Sequence, residues 1–416
     1  MAAPELRLEI EIDIEDPKER GSPPLGEPGA SVGRYRLLHE IATGGMATVY
    51  LAMPEGGTEP VALKRVHPHL ASQREFIEMF LDEARLTSRV DHPNVCPVLD
   101  YGRADGSYFL VMEYLSGCSL ARVSRALRRL SAAEQQVAVP VVAARVVADA
   151  AAGLHAAHEL RDGGGKPLEV VHRDVSPHNL FVAWSGATFV LDFGIASARD
   201  RLHHTETGTV KGKFAYMAPE QMVGARVDRR ADVWSLGVVL WELLAGQPLF
   251  KRRTETETVM AVTRLERPPL AELRPGLCPK LEAIVDRALA REPEDRFPNA
   301  GAMAGELRAW LDEQPGPGDP AEVAAWMDRL FPGEAAEEAA LVRKALAKDL
   351  APFDATTGHE QSGVVRRDRK RRGLAAAYLI ALALAIAVGA LAALASRPGA
   401  PDPIEGAEPV VTTPPE

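Results

Sequence analysis

Cysteine is scarce in this 416-residue chain: three residues, Cys96, Cys118 and Cys278, with no C-x-x-C pair. That excludes a disulfide scaffold and a cysteine zinc site, and leaves reduced thiols in or near a core. Positive charge is not in excess. A net charge of −10 argues against nucleic acid as a partner of the whole molecule. A secretory leader is not expected, because residues 5–19 are acidic where a basic and then apolar stretch is needed. A Walker phosphate loop is also missing. The turn R-D-G-G-G-K at 161–166 lacks the required glycine spacing, and Lys166 is followed by Pro167 instead of Ser or Thr. His203 and His204 have no third ligand nearby, so no metal site is read there.

What is present centres on V-H-R-D-V-S-P-H-N at 171–179, followed a short strand later by Asp192-Phe193-Gly194. An Asp five residues before an Asn, then a second Asp, places three proton or metal ligands on adjacent loops. Phosphoryl transfer needs one carboxylate to orient the attacking hydroxyl, and an amide and a carboxylate to hold Mg²⁺. Five further signals stand in order around this core. They are the strand–turn–strand Y-R-L-L-H-E-I-A-T-G-G-M-A-T-V-Y-L-A from Tyr35, V-A-L-K ending at Lys64, F-L-D-E-A-R-L containing Glu83, Y-F-L-V-M-E-Y-L from Tyr108, and Ala218-Pro219-Glu220.

From Tyr35 to Leu311 the chain therefore resembles the eukaryotic-type bacterial serine/threonine protein kinases. The resemblance implies an α+β fold of two lobes, a small strand-rich lobe that clamps ATP and a large helical lobe that holds the catalytic loop. It implies Asp174 as the base, Asn179 and Asp192 as Mg²⁺ ligands, and Lys64 on the α- and β-phosphates, paired with Glu83. Asp82 and Glu78 are rivals for that pairing. The nucleotide would also touch Ile41, Ala42, Thr43, Gly44, Gly45, Met46, Ala47, Val49 and Ala62. Met112 would lie behind the adenine, and Glu113 to Leu115 would offer backbone groups to its edge. His172 would pack on Phe193, Asp232 would brace the catalytic loop, and Arg296 would pair with Glu220. Arg173 would await a phosphate, for which Thr205, Thr207 and Thr209 are candidates.

The chain departs from the family in three places. The Gly-rich loop keeps only Gly44 of three glycines, with Ala42 and Ala47 at the others, where a Cβ crowds the phosphates. Ser176 stands where the family has Lys, and Lys213 stands where it has Thr. The two side chains meet beside the base in the family, so hydroxyl and ammonium have exchanged places. Lys213 would then supply the positive charge near the γ-phosphate and Ser176 the hydroxyl. The contrary readings are a scaffold that binds ATP with little turnover, and tyrosine specificity, left open by loss of the usual Lys.

The flanks complete the expected organisation: an acidic, then Pro/Gly-rich tail at 1–33, in which residues 8–14 alternate like an edge strand, and the kinase domain at 34–312. A linker follows at 313–365 with amphipathic helices (Val323, Trp326, Met327, Leu330, Phe331; then Ala339, Leu341, Val342, Ala345, Leu346), which would pack on the kinase domain or on a second chain. A basic segment at 366–373 precedes an uncharged Ala/Leu run at 374–395. About 20 such residues span a bilayer. The basic side faces the cytoplasm, which implies a single-pass kinase of the cytoplasmic membrane acting on protein substrates. Ala385, Gly389 and Ala393 fall four apart, a seam through which a homodimer could form. The tail at 396–416 is too short for a folded sensor.

Overall fold

Between positions 30 and 113 the sequence is rich in Val, Leu, Tyr and Thr, side chains that suit a pleated surface. The computed structural model describes residues 30–104, 106–193, 213–314, 319–347 and 359–362. The acidic N-terminal stretch, Gly194, the three candidate threonines, the basic run and the expected membrane helix lie outside the described residues.

The small lobe is one antiparallel sheet. Its strands are β1 (Ser31–Val32), β2 (Tyr35–Thr43), β3 (Ala47–Pro54), β4 (Val61–Val66), β5 (Val98–Ala104) and β6 (Ser107–Glu113), with β10 (His359–Ser362) returning from far along the chain. The spatial order is β1-β2-β3-β4-β6-β5-β10. β1 pairs with Tyr35 and Arg36, so the sheet begins before the expected domain start at 34. After β4 come a short helix α1 (Pro68–Ala71) and α2 (Arg74–Thr87). The apolar stripe of α2 packs Phe76, Ile77, Phe80 and Ala84 against Val66, Val98 and Leu110. A second cluster buries Tyr35, Leu37, Tyr50, Leu63, Phe109 and Val111. Residues alternate between these clusters along β4 and β6, as the period of two requires.

The large lobe opens with β7 (Gly117–Ser119), α3 (Leu120–Leu127) and α4 (Ala132–His158), then β8 (Leu180–Ala183) and β9 (Thr188–Val190), which form a three-stranded sheet with β7. Helices follow: α5 (Pro219–Met222), α6 (Arg230–Ala245), α7 (Glu255–Arg264), α8 (Leu270–Leu273), α9 (Pro279–Ala288) and α10 (Ala300–Asp312). Ser131 and Glu134 form a capping box that starts α4. α4 is long and apolar enough to cross a membrane, yet it is mostly buried inside this lobe, so its composition serves the core. α6 is apolar on every side for the same reason: Trp234 and Trp241 are fully buried. Gly246, at φ 69°, ends it in the left-handed conformation that a Cβ disfavours.

Two more helices, α11 (Pro320–Leu330) and α12 (Glu334–Ala347), dock on this lobe. The sequence left open whether they pack here or on a second chain; they pack here. Asp319 caps α11, and its buried face carries Val323 and Met327, with Phe331 just beyond. Phe331 meets the ring of Trp184 edge-on, at 5.7 Å between centroids, and the Arg122 guanidinium lies over Phe331 at 4.8 Å. Arg122 also pairs with Glu334 at 2.7 Å, and Arg329 with Glu134. The start of α11 sits so close to the turn between β8 and β9 that a Cβ on Gly186 (φ 81°) would fall 1.8 Å from the Pro320 carbonyl oxygen. Glycine is required there both for space and for backbone conformation.

Cys96 and Cys118 are buried and Cys278 is half-buried, all three unpaired with one another. Burial pushes the Cys118 thiol up to about 12, with Arg122 opposing, which suits an inert core thiol.

Candidate active site

The cleft between the lobes is lined from above by one face of the small sheet. Lys64 on β4 lies opposite Val49 on β3 and Leu110 on β6, and Ala62 lies opposite Met112. The period of two therefore brings Val49, Ala62, Lys64 and Met112 to a single face. Beyond it, Ile41, Ala42 and Thr43 end β2 and the tip is closed by Gly44 N–H donating to the Ala47 carbonyl at 2.9 Å. Ala42 and Ala47 are buried and Met46 is exposed; Ala42 pairs with Val49 and so shares the cleft-facing side of the sheet. Thr43 Oγ1 lies 3.0 Å from Thr48 Oγ1, and Thr48 lies 3.3 Å from His67 Nε2, so side chains outside the glycine pattern hold the loop.

Lys64 Nζ is 2.9 Å from Asp192 Oδ2, across the two lobes. Burial would pull the ammonium down, but Asp192, then Glu83 and Asp174, hold it above its ordinary range. Burial would likewise push the Asp192 carboxyl up, and Lys64, with His172 and Lys213, holds it below the ordinary carboxylate range. Of the three acids considered for the α2 partner, Glu78 and Asp82 are exposed and pair with Arg74 and Arg85. Glu83 is half-buried and acts on Lys64.

The catalytic loop is built around Asp232 at the start of α6. Its carboxylate accepts the backbone N–H groups of His172 and Arg173, each at 2.8 Å, and contacts His158 Nε2 at 2.7 Å. Asp232 is fully buried; burial would raise its pKa, but His158, His172 and the backbone donors hold it low. This anchor holds Arg173 at φ 65°, where a non-glycine residue costs about 1–3 kcal/mol. The His172 ring packs at a tilt of 42° on Phe193 with centroids 4.8 Å apart, and its Nε2 sits 3.0 Å from the Leu191 carbonyl. Asp192 itself is at φ 37°, turned toward the cleft by the same packing.

Asp174 thus emerges on a fixed loop with 14% of its side chain exposed. Asn179 Nδ2 donates to the Asp174 carbonyl at 2.7 Å and to its Oδ2 at 3.1 Å. That leaves the amide oxygen of Asn179, together with the Asp192 carboxylate, as hard donors suited to Mg²⁺. Among the described residues no cluster of three His, Cys, Asp or Glu side chains exists, so remaining ligands would come from phosphate and water. Lys213 Nζ reaches Asp174 Oδ2 at 2.9 Å from the short turn Lys213–Tyr216. The ammonium therefore lies beside the Asp174 carboxylate although its tether is 39 positions further along the chain. Ser176 is 91% buried under the loop, and its carbonyl accepts the Asn179 N–H at 3.0 Å.

Arg296 makes two bonds to Glu220, at 2.7 and 2.8 Å, and lies over Trp234. Asn94 ties the two lobes: its side chain donates to the Thr188 carbonyl at 2.9 Å, and its own carbonyl accepts the Val190 N–H at 2.9 Å. His158 was not singled out in the sequence. Its only mark is to be one of two histidines, with His155, in the last turn of α4.

The family described as Protein kinase domain matches residues 35–305. The chain is similar to Tyrosine-protein kinase MasK of Myxococcus xanthus, 46% identical over 71% of this chain and 45% of that one. It is also similar to Serine/threonine-protein kinase PrkC of Bacillus subtilis, 32% identical over 67% of this chain and 41% of that one. Among solved structures, the Mycobacterium tuberculosis PknI kinase domain aligns with a TM-score of 0.53 and 28% identity, covering 69% of this chain and 100% of that one. The chain spans less than half the length of these two curated relatives.

Proposed function

The chain belongs to the protein kinase family, as a eukaryotic-type bacterial member, and from that premise we propose that it transfers the γ-phosphoryl group of ATP to Ser or Thr of protein substrates, from a position at the cytoplasmic membrane. The observation that carries this reading is the convergence of Asp174, Asn179 and Lys213 within hydrogen-bond reach, opposite the Lys64–Asp192 pair.

In this reading Asp174 accepts the proton of the incoming hydroxyl, and its Oδ2, already bonded to Asn179 and Lys213, is held at a fixed angle for that role. Lys213 is close enough to Asp174 to face the transferring phosphoryl group, where a fixed cation stabilises accumulating charge. Lys64 orients the two inner phosphates. Bound Mg²⁺, held by Asn179 and Asp192, would neutralise phosphate charge. The exchange of Ser176 and Lys213 is therefore read as a relocation of the ammonium, not as loss of the enzyme. A scaffold without turnover has no chemical need for all of these groups.

Membrane attachment is supported by the uncharged stretch 374–395 and the basic residues before it. Tyrosine specificity is the second reading, favoured by the similarity to the Myxococcus tyrosine-protein kinase. The test is to incubate the full chain in detergent with Mg-ATP beside its Asp174→Asn variant, then to identify the phosphorylated residue type. Phosphate on Ser or Thr in the parent alone supports the proposal. Phosphate on Tyr alone replaces it with the second reading. No phosphate from a folded parent moves the scaffold to first place.

A further inference from the structure

Helix α12 carries three acids, Glu334 and, one turn on, the neighbours Glu337 and Glu338. Only Glu338 is buried, at 5% exposure. A carboxylate taken out of water must have both oxygens hydrogen-bonded, or it destabilises its surroundings. Glu338 meets that condition. Tyr114 Oη donates to Oε1 at 2.5 Å, and Trp184 Nε1 donates to Oε2 at 2.6 Å. Tyr114 lies in the middle of the hinge, between Glu113 and Leu115.

The same tryptophan holds the hinge a second time: the Trp184 backbone N–H donates to the Ser116 carbonyl at 3.0 Å. The contacts close a ring, from Tyr114 through Glu338 and Trp184 back to Ser116. On the other flank, Glu113 N–H donates to the Pro97 carbonyl at 3.0 Å. The hinge is thus tied at 113, 114 and 116. One of those ties comes from a helix beyond residue 305, where the family match ends.

Resting on the nucleotide reading above, we propose that Glu338 is a positioning residue for ATP. From outside the kinase domain it sets the hinge at the place where the adenine edge is to be received. Adenine recognition depends on backbone groups held to a fraction of an ångström, and a tie on the side chain next to them sets their position. α12 connects forward to the segment leading to 366–373, so whatever displaces this helix would act on nucleotide affinity. Burial also raises the Tyr114 hydroxyl's pKa, with Glu338 adding to the shift, which keeps it a donor at all physiological pH.

The test is binding of Mg-AMP-PNP, a nucleotide that does not turn over, by titration calorimetry to the full chain in detergent. The variants are Tyr114→Phe, which removes one hydroxyl, Glu338→Gln, the double variant, and Glu337→Gln on the exposed face of the same helix. Loss of a hydrogen bond to a charged acceptor should weaken binding about fivefold to thirtyfold in either single variant. The double variant should be no weaker than the weaker single, because both remove the same tie. Glu337→Gln should bind like the parent. Where turnover is measurable, the KM for ATP should rise with little change in kcat. Folded Tyr114→Phe with parental affinity overturns the proposal, even if its melting temperature falls, since the helix would then be only a prop. Should Glu338→Gln not fold, Tyr114→Phe decides alone. A parent that binds nucleotide but transfers no phosphate sinks the kinase reading, while a shift in affinity still supports the hinge tie. A parent that binds no nucleotide overturns both.

Discussion

Two sets of carboxylates in the large lobe are built oppositely. Asp232 is fully enclosed, and Glu220, at 11% exposure, has both oxygens taken up by Arg296, itself fully buried. Asp174 and Asp192 keep 14% and 34% of their side chains exposed, and each is held from one side only, by Lys213 with Asn179 and by Lys64. The first set fixes backbone and the second leaves oxygens facing the cleft. Residues of the same chemical type thus become framework or chemistry according to how many of their lone pairs the fold consumes.

The comparison can be broken most sharply at Asp174. Asp174→Asn keeps the shape but not the basicity, and kcat should fall about 10³-fold with the unfolding midpoint unchanged. Equal loss of stability would place Asp174 with the framework. The converse change is Arg296→Ala, which strands Glu220 and should cost about 3–5 kcal/mol in denaturant unfolding, since breaking a buried pair leaves an uncompensated charge. A stability close to the parent would show that Glu220 is solvated after all. Lys213→Ala should lower kcat about 10²-fold without loss of stability, as the loss of a fixed charge beside the reacting group does. Ser176→Lys added to Lys213→Ser should recover part of that rate if position of the nitrogen is what matters. A Lys213→Ala enzyme as active as the parent ends the idea of an exchange.

The smallest effect concerns pH. Asp232 and Asp192 are both held below the ordinary carboxylate range, so the stability they contribute is fully present above about pH 4, the unfolded value, and is lost as pH falls through their folded values. The stability gap between parent and Asp232→Asn should therefore be flat from neutral pH down to about pH 5 and close only below about pH 4. A gap that closes between pH 5 and 7 would overturn this assignment to the carboxylates.

Much of this arrangement was legible in the sequence because it is local. H-R-D-V-S-P-H-N places Asp174 and Asn179 on one loop, V-A-L-K puts Lys64 on a strand, and the stripe Phe76, Met79, Phe80, Ala84 announces α2. Asp232, Arg296 and the packing of His172 on Phe193 were expected through resemblance, and the structure brings each to its partner. What the sequence could not show were pairings between distant residues with no local mark. Glu338 reads as one acid among three, and nothing local marks Tyr114 or Trp184 as its partner. Their bonds span 224 and 154 positions. The docking side of α11 and α12 was equally hidden, because an apolar stripe says that something covers it and not what.

β10 carries a consequence of a different kind. Its backbone pairs with Gly102, Arg103 and Ala104, and so closes the outer edge of the small-lobe sheet. A fragment cut at 312, the boundary that the domain motifs suggest, would lose that strand along with α11 and α12. It would bare a row of unpaired N–H and C=O groups on β5 and the apolar seat of Val323, Met327 and Phe331. Such a fragment is expected to self-associate in sedimentation experiments where the longer chain does not. Covering a sheet edge with a strand from beyond the family match ties the exposure of β5 to residues outside the catalytic domain.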